Sequence, residues 1–288
     1  MQGMYGKSGD IIYSSPTIVQ YADYSIVYAG GNDGMLHAFR LGYIKNIGDD
    51  LNPSELCQDS SAATCLHDDL GKEEWACVPK DSMPYLRYMA SPDYDHVYTV
   101  DLKPYVIHTG EKVILIGGMR LGGACGNGNV NPPSDTNESG LDYAGRSAYF
   151  ALDITDPQNP EYLWRYAPQN LGFSYSGPAW IKRKDASGDW DHHVMFMSGP
   201  TDYNGKSTQN LEIYTLDLLT GTEENVFGDE TSEMNLTNAF GGRLFKQGFD
   251  LNADGQTDFV FLGYTDNADK SYAKHNGGII KVYIDSND

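Results

Sequence analysis

The chain has 288 residues, with 20 Lys and Arg against 40 Asp and Glu, a formal net charge of −20. That surplus excludes a nucleic-acid binder or a protein that docks on anionic lipid through a basic face, and no run approaches the ~18 apolar residues of a membrane-spanning helix. Apolar residues at 40%, with 21 Tyr and 32 Gly, describe a folded chain of strands and tight turns.

Taken in chain order, the first segment, Met1-Gln2-Gly3-Met4-Tyr5-Gly6, has neither the basic start nor the apolar core of a cleavable signal. The chain is then either cytosolic or a piece of a longer exported protein. Ser15-Pro16 leads into a strand at Thr17-Ile18-Val19. The run Ser25 to Gly30, the turn Asn32-Asp33-Gly34 and the run Met35 to Phe39 form the first hairpin unit, because Asn, Asp and Gly tolerate positive φ. The same phrase, a short apolar run closing on Gly, a loop and a second apolar run, recurs three times. It covers Val113–Gly117 with Ala148–Asp153, Val194–Gly199 with Leu211–Asp217, and Phe259–Gly263 with Gly278–Tyr283. The closing glycines stand 87, 82 and 64 residues apart, with the differences in loops, which absorb length cheaply. A nearly unbroken first run suits a strand buried on both faces, and an alternating second run suits one nearer the outside. Gly177-Pro178 leads into a further strand at Ala179-Trp180-Ile181. Four such units predict an all-β, propeller-like fold, with blades of short antiparallel strands, over residues 1–288 as a single domain. A β-sandwich does not predict one phrase recurring four times.

Residues 42–96 interrupt the pattern as a polar, loop-rich insertion. Cys57, Cys65 and Cys77 fall within 21 residues there, and Cys125 lies in a separate loop. Spacings of 8, 12 and 48 match no zinc or haem motif. An even count in loop-like sequence predicts disulfides and an oxidising compartment, with three pairings open; four unrelated reduced thiols are the alternative.

The segment Asp250-Leu-Asn252-Ala-Asp254-Gly255-Gln256-Thr-Asp258 carries explicit chemistry. Oxygen side chains at positions 1, 3, 5 and 9, with Gly at 6, match the first part of an EF-hand-type calcium loop, and the Gln256 carbonyl takes position 7. Position 12 is Phe261, so the bidentate Glu is missing and Asp258 has to supply the closing carboxylate. The predicted Ca²⁺ ligands are Asp250, Asn252, Asp254, Gln256 and Asp258, with an Asp-rich hairpin turn as the plainer reading. A second acidic stretch, Asp185 to Asp191, lacks the Gly at position 6 and reads as a turn. Adjacent His192 and His193 would point to opposite faces of a strand, and both read as solvated loop histidines. His37 reads as a strand residue without a catalytic role. Gly117 to Gly123 is glycine-rich but leads to no helix that could receive a phosphate.

Gly9-Asp-Ile-Ile-Tyr-Ser-Ser-Pro16 followed by Val27-Tyr-Ala-Gly-Gly-Asn-Asp-Gly-Met-Leu-His-Ala-Phe39 resembles the opening of the C-terminal propeller domain of the PilY-type type IV pilus biogenesis factors and tip adhesins. Glu74–Pro79, Tyr94–His96, Leu115–Arg120, Tyr149–Pro157 and Leu171–Ser176 follow in that family's order. The resemblance covers nearly the whole chain. It implies a non-enzymatic module of an exported protein in the periplasm, at the cell surface or at the pilus tip of a Gram-negative-type bacterium. The implied partners are type IV pilin subunits, minor pilins or a host or surface receptor. It also implies a calcium loop at Asp250–Asp258 linked to the balance of pilus extension and retraction. The family domain continues past the match to Phe259–Tyr283, which leaves a truncated ring or a short variant that closes differently. A second likeness sets an enzyme beside this reading. Leu216-Asp-Leu-Leu-Thr220-Gly221 resembles the blade signature of quinoprotein dehydrogenases, which bind pyrroloquinoline quinone and calcium. The Trp that ends their phrase is missing after Thr222, although the parallel Asp153–Pro157 leads to Trp164.

Overall fold

A computed structural model gives the fold for residues 10–22, 24–41, 43–44, 56–57, 71–123, 146–228, 234–244, 248–266 and 276–284. The first sheet begins at Pro16, which fixes its own φ and lacks an N–H, so a strand edge starts after it. Strands β1 (Thr17–Gln20), β2 (Ser25–Gly30) and β3 (Leu36–Leu41) form an antiparallel meander. Its β2–β3 turn has Gly34 at φ +93°, as the Asn-Asp-Gly chemistry predicts. A short pair, β4 (Tyr43–Ile44) with β5 (Leu56–Cys57), follows. Then β6 (Glu73–Cys77) pairs with β3 and gives sheet 1 the order β1-β2-β3-β6.

The described part of the 42–96 stretch is thus more ordered than a loop insertion. It supplies a fourth strand, a 3₁₀ turn (Lys80–Ser82) and helix α1 (Met83–Met89), which has Pro84 in its first turn. Cys77 is a free thiol whose pKa burial pushes up. Cys65, Cys125 and the side chain of Cys57 lie outside the described residues.

Sheet 2 comprises β7 (Tyr105–His108), β8 (Val113–Gly118), β9 (Tyr149–Asp153) and β10 (Glu161–Tyr166). Sheet 3 comprises β11 (Ala179–Lys184), β12 (Trp190–Met197), β13 (Ile213–Asp217) and β14 (Glu223–Phe227), and sheet 4 comprises β15 (Ala239–Leu244), β16 (Phe259–Asp266) and β17 (Asn276–Tyr283). The protein is all-β: among the described residues it has four antiparallel sheets of three or four strands besides the β4–β5 pair, none closed into a barrel. Among the described residues no helix is long and apolar enough to cross a membrane.

Side-chain alternation explains the unbroken apolar runs. Along β8, Ile114 and Ile116 pack toward sheet 3 while Leu115 packs toward sheet 1. Along β12, Val194 and Phe196 face sheet 2 while Met195 and Met197 face sheet 4. A strand between two neighbouring sheets must be apolar on both faces. Among the described residues three intersheet cores result, between sheets 1 and 2, 2 and 3, and 3 and 4. The closing glycines have a common cause at two positions. A Cβ on Gly30 would overlap the Val100 carbonyl oxygen, and one on Gly199 would overlap the Phe173 carbonyl oxygen. Val100 lies on the chain entering sheet 2 and Phe173 on the chain entering sheet 3, and in each case that backbone crosses hard against the strand end, where only Gly leaves room.

Candidate functional site

The acidic loop joins β15 to β16 and is built across the junction of sheets 3 and 4. Thr257 N–H donates to the Lys182 carbonyl at 2.7 Å, and Lys182 N–H donates to Thr257 Oγ1 at 3.1 Å. Lys184 N–H donates to Gln256 Oε1 at 2.8 Å, and Gly248 N–H to the Trp180 carbonyl at 3.1 Å. The loop therefore extends the exposed edge of β11, although it belongs to sheet 4. Gly255, at φ +87°, sits against the Trp190 ring, which Lys182 covers with its ammonium 3.8 Å from the ring centre.

Inside the loop the predicted ligands are knitted by Asx-type turns. Asn252 Oδ1 accepts Asp254 N–H at 3.0 Å, Asp254 Oδ1 accepts Gln256 N–H at 2.8 Å, and Asp250 Oδ2 accepts Gly255 N–H at 2.9 Å. Asp258, largely buried at 8% exposure, accepts Leu251 N–H at 2.5 Å. The Gln256 backbone N–H and its side-chain amide hold the Asp254 carboxyl below the usual carboxylate range, so this exposed group stays anionic. The five predicted residues are brought together in one turn, and all their candidate donors are hard oxygens of the kind calcium selects.

In chemistry, then, the set fits calcium. Its carboxylates are nonetheless turned toward backbone N–H groups, and among the described residues no three His, Cys, Asp or Glu side chains gather as a metal-holding cluster. The side-chain oxygen of Gln256 is engaged by Lys184, which leaves its backbone carbonyl for position 7. The other acidic stretch is a turn between β11 and β12, with Asp185 Oδ1 accepting N–H groups of Ser187 and Asp189.

Of His37, His192 and His193, the first lies in a strand as expected, whereas the adjacent pair departs from expectation. His192 and His193 lie in β12, not in a solvated loop, and His193 is 1% exposed with Asp191 and Glu224 oxygens 3.0 and 2.9 Å from its ring nitrogens. His37 of β3 is buried between Asp33 at 3.0 Å and Glu73 at 2.5 Å, with Phe39 stacked on its ring. Burial alone lowers the His37 pKa, but hydrogen bonds to Asp33 and Glu73 outweigh it and the net direction is upward. A raised folded-state pKa stabilises fully below the unfolded value near 6.5 and ceases to do so as pH climbs through the folded value. The melting-temperature gap between wild type and His37→Gln is therefore expected to be wider at pH 6 than at alkaline pH. A gap that widens with rising pH would contradict the assignment.

Sequence reasoning missed Lys182, Thr257 and Trp190 as the loop's supports, because the contact crosses from one sheet to the next. The recurrent Asx turns of Asp153 and Asp217 also surface here. Asp217 Oδ1 accepts N–H groups of Leu219 and Thr220, and Thr220 Oγ1 donates to it at 2.7 Å. Gly221 then lies against Trp164, whose indole N–H donates to the Leu218 carbonyl at 2.8 Å. The Trp164 of one sheet thus docks on the Asp-Leu-Leu-Thr-Gly phrase of the next.

Fold and site together define an all-β protein of serially packed antiparallel sheets with an acidic, oxygen-rich loop at one junction. No protein-family model matches the chain. It is 28% identical over 246 residues to a type IV pilus biogenesis factor PilY1 homolog of Xylella fastidiosa, covering 83% of this chain and 15% of that protein. It is 26% identical over 294 residues to the type IV pilus biogenesis factor PilY1 of Pseudomonas aeruginosa, covering 88% of this chain and 20% of that one. Among solved structures, the C-terminal domain of Pseudomonas aeruginosa PilY1 aligns at 22% identity and a TM-score of 0.48, over 84% of this chain and 37% of that one. Over most of its length the chain is similar to these PilY1-type proteins, and it spans a fifth or less of the length of these curated relatives.

Proposed function

We propose that the chain is a non-enzymatic, calcium-binding module of an exported type IV pilus biogenesis factor or tip adhesin. The observation that carries this reading is the loop Asp250–Asp258, whose hard oxygens lie in one turn fastened to β11 of the neighbouring sheet. The names of the homologues supply the biological setting. Asp250, Asn252, Asp254 and Asp258 would hold Ca²⁺ with their side chains and Gln256 with its carbonyl. The ion supplies positive charge against clustered carboxylates. The chain's own part is to fix the approach to Phe259 through Thr257 and Gln256, and so to set the surface that a pilin subunit, a minor pilin or a surface receptor meets. In the whole protein this serves the balance between pilus extension and retraction, outside the cytoplasm.

Calcium is expected to raise the melting temperature of the wild-type chain, and chelator to reverse the rise. In Asp254→Ala the calcium-dependent rise should vanish while melting in chelator stays close to wild type, because Asp254 is exposed. A wild-type chain that melts identically with calcium and with chelator would refute the proposal.

A further inference from the structure

Away from the acidic loop, an open cavity of about 750 Å³ is lined largely by tyrosines. Tyr85 and Tyr88 come from α1, His96 and Tyr98 from the chain leading to β7, Leu121 from the segment after β8, and Tyr203 from the loop after β12. Three successive sheets thus contribute to one concavity of the size that small ligands occupy.

The rings are braced by their own neighbours. Tyr88 accepts the Asp95 N–H on its phenol oxygen at 3.0 Å and packs against Tyr94 with ring centres 5.6 Å apart. Tyr98 meets His96 at 5.0 Å, edge to face, and Tyr203 lies 5.0 Å from the buried Phe173 ring. Rings already held in position lose little freedom when a ligand arrives.

Among the described residues no Lys, Arg, Asp or Glu lines the cavity. An anion would find no charged partner there, and a sugar would find only phenols and one imidazole for its hydroxyls. Aromatic faces carry negative quadrupole charge and attract a cation within ~6 Å of the ring centre. The surroundings add to this. Asp93 and Asp95 lie on the segment that carries His96, and Asp10 Oδ2 stands 3.6 Å from His96 Nδ1. Arg120, next to Leu121, is bound to the buried Asp101 at 2.8 Å and covered by the Tyr13 ring at 3.5 Å. Arg87 of α1 is not part of the lining.

We propose that this cavity is a binding site for a small organic cation, a quaternary or methylated ammonium group of the choline type. It is independent of the calcium loop and of the pilus reading.

Tetramethylammonium chloride titrated into the chain, against sodium chloride at matched ionic strength, should give a saturable change in tyrosine fluorescence. Saturation-transfer NMR should carry magnetisation from tyrosine ring protons to the ligand methyls. Tyr98→Ala and Tyr203→Ala should each weaken binding about tenfold, and Tyr203→Phe, which keeps the ring, by about twofold at most. Leu121→Arg, which brings a like charge to the cavity, should abolish it. The proposal is overturned by a titration indistinguishable from sodium chloride, by glucose or acetate saturating the site instead, or by alanine variants that bind as wild type does. If an alanine variant fails to fold, the NMR measurement on the wild-type chain decides, and absence of transfer overturns the proposal.

Discussion

Asp81→Ala is expected to destabilise the fold by about 3 kcal/mol. Asp81 is 2% exposed and receives a two-pronged bond from Arg165 of β10, Nε to Oδ2 at 2.7 Å and Nη2 to Oδ1 at 2.8 Å. Removing one member of such a pair leaves the other charge poorly solvated, and the expected value sits low in the usual range because Arg165 keeps 16% of its side chain exposed. The pair ties the 3₁₀ turn between β6 and α1 to sheet 2, so the loss also loosens the link between the first two sheets. The double variant Asp81→Ala/Arg165→Met should recover most of the stability, since replacing both charges by apolar groups removes the stranded partner. Urea denaturation of the three proteins measures this. A single variant that loses under about 1 kcal/mol would show that the pair is a surface contact in energetic terms.

Trp164→Ala should cost about 4 kcal/mol, the range for deleting a large buried aromatic side chain. Trp164 is 5% exposed, stands edge-on to Phe196 with ring centres 6.5 Å apart, and closes the core between sheets 2 and 3. Trp164→Phe refills much of the volume but leaves the Leu218 carbonyl without its indole donor, for an expected loss of about 1–2 kcal/mol. Shifts in denaturant midpoint at unchanged slope test both values. Equal losses in the two variants would mean that the hydrogen bond, and not the packing, holds this junction.

The same tryptophan shows what the sequence can and cannot convey. The four repeated phrases were readable because each opens on an apolar strand, and in sheets 2 and 3 that strand is buried on both faces, which prints a run such as Val194 to Met197 without polar interruption. Trp164 was visible, but its partner in the next sheet was not. Its docking on Leu218 and Gly221 also gives the Thr-Gly phrase a packing role that needs no cofactor. Glu73–Cys77 escaped notice as a strand because it lies at the edge of sheet 1, where burial is partial and the pattern is weak. His193 misled for a related reason. His193 reads as polar and solvated until Asp191 and Glu224 are known to flank it, and Glu224 comes from a different strand. Of the acidic loop, the ligand set and the turn were legible from Asp and Gly spacing alone, whereas its seat on Lys182 and Thr257 depends on the packing of one sheet against the next. The tyrosine cavity was the least legible feature, since its lining comes from four separate segments.

Among the described residues each sheet shares a core only with its immediate neighbours, and sheet 4 has three strands where the others have four. Energetically this resembles a row of dominoes, in which a disturbance passes from one member to the next. Among the described residues sheet 4 packs through one junction, that with sheet 3, and the acidic loop spans it. A ligand that tightened the Asp250–Asp258 loop would act on that junction, and so on how firmly sheet 4 is held against sheet 3.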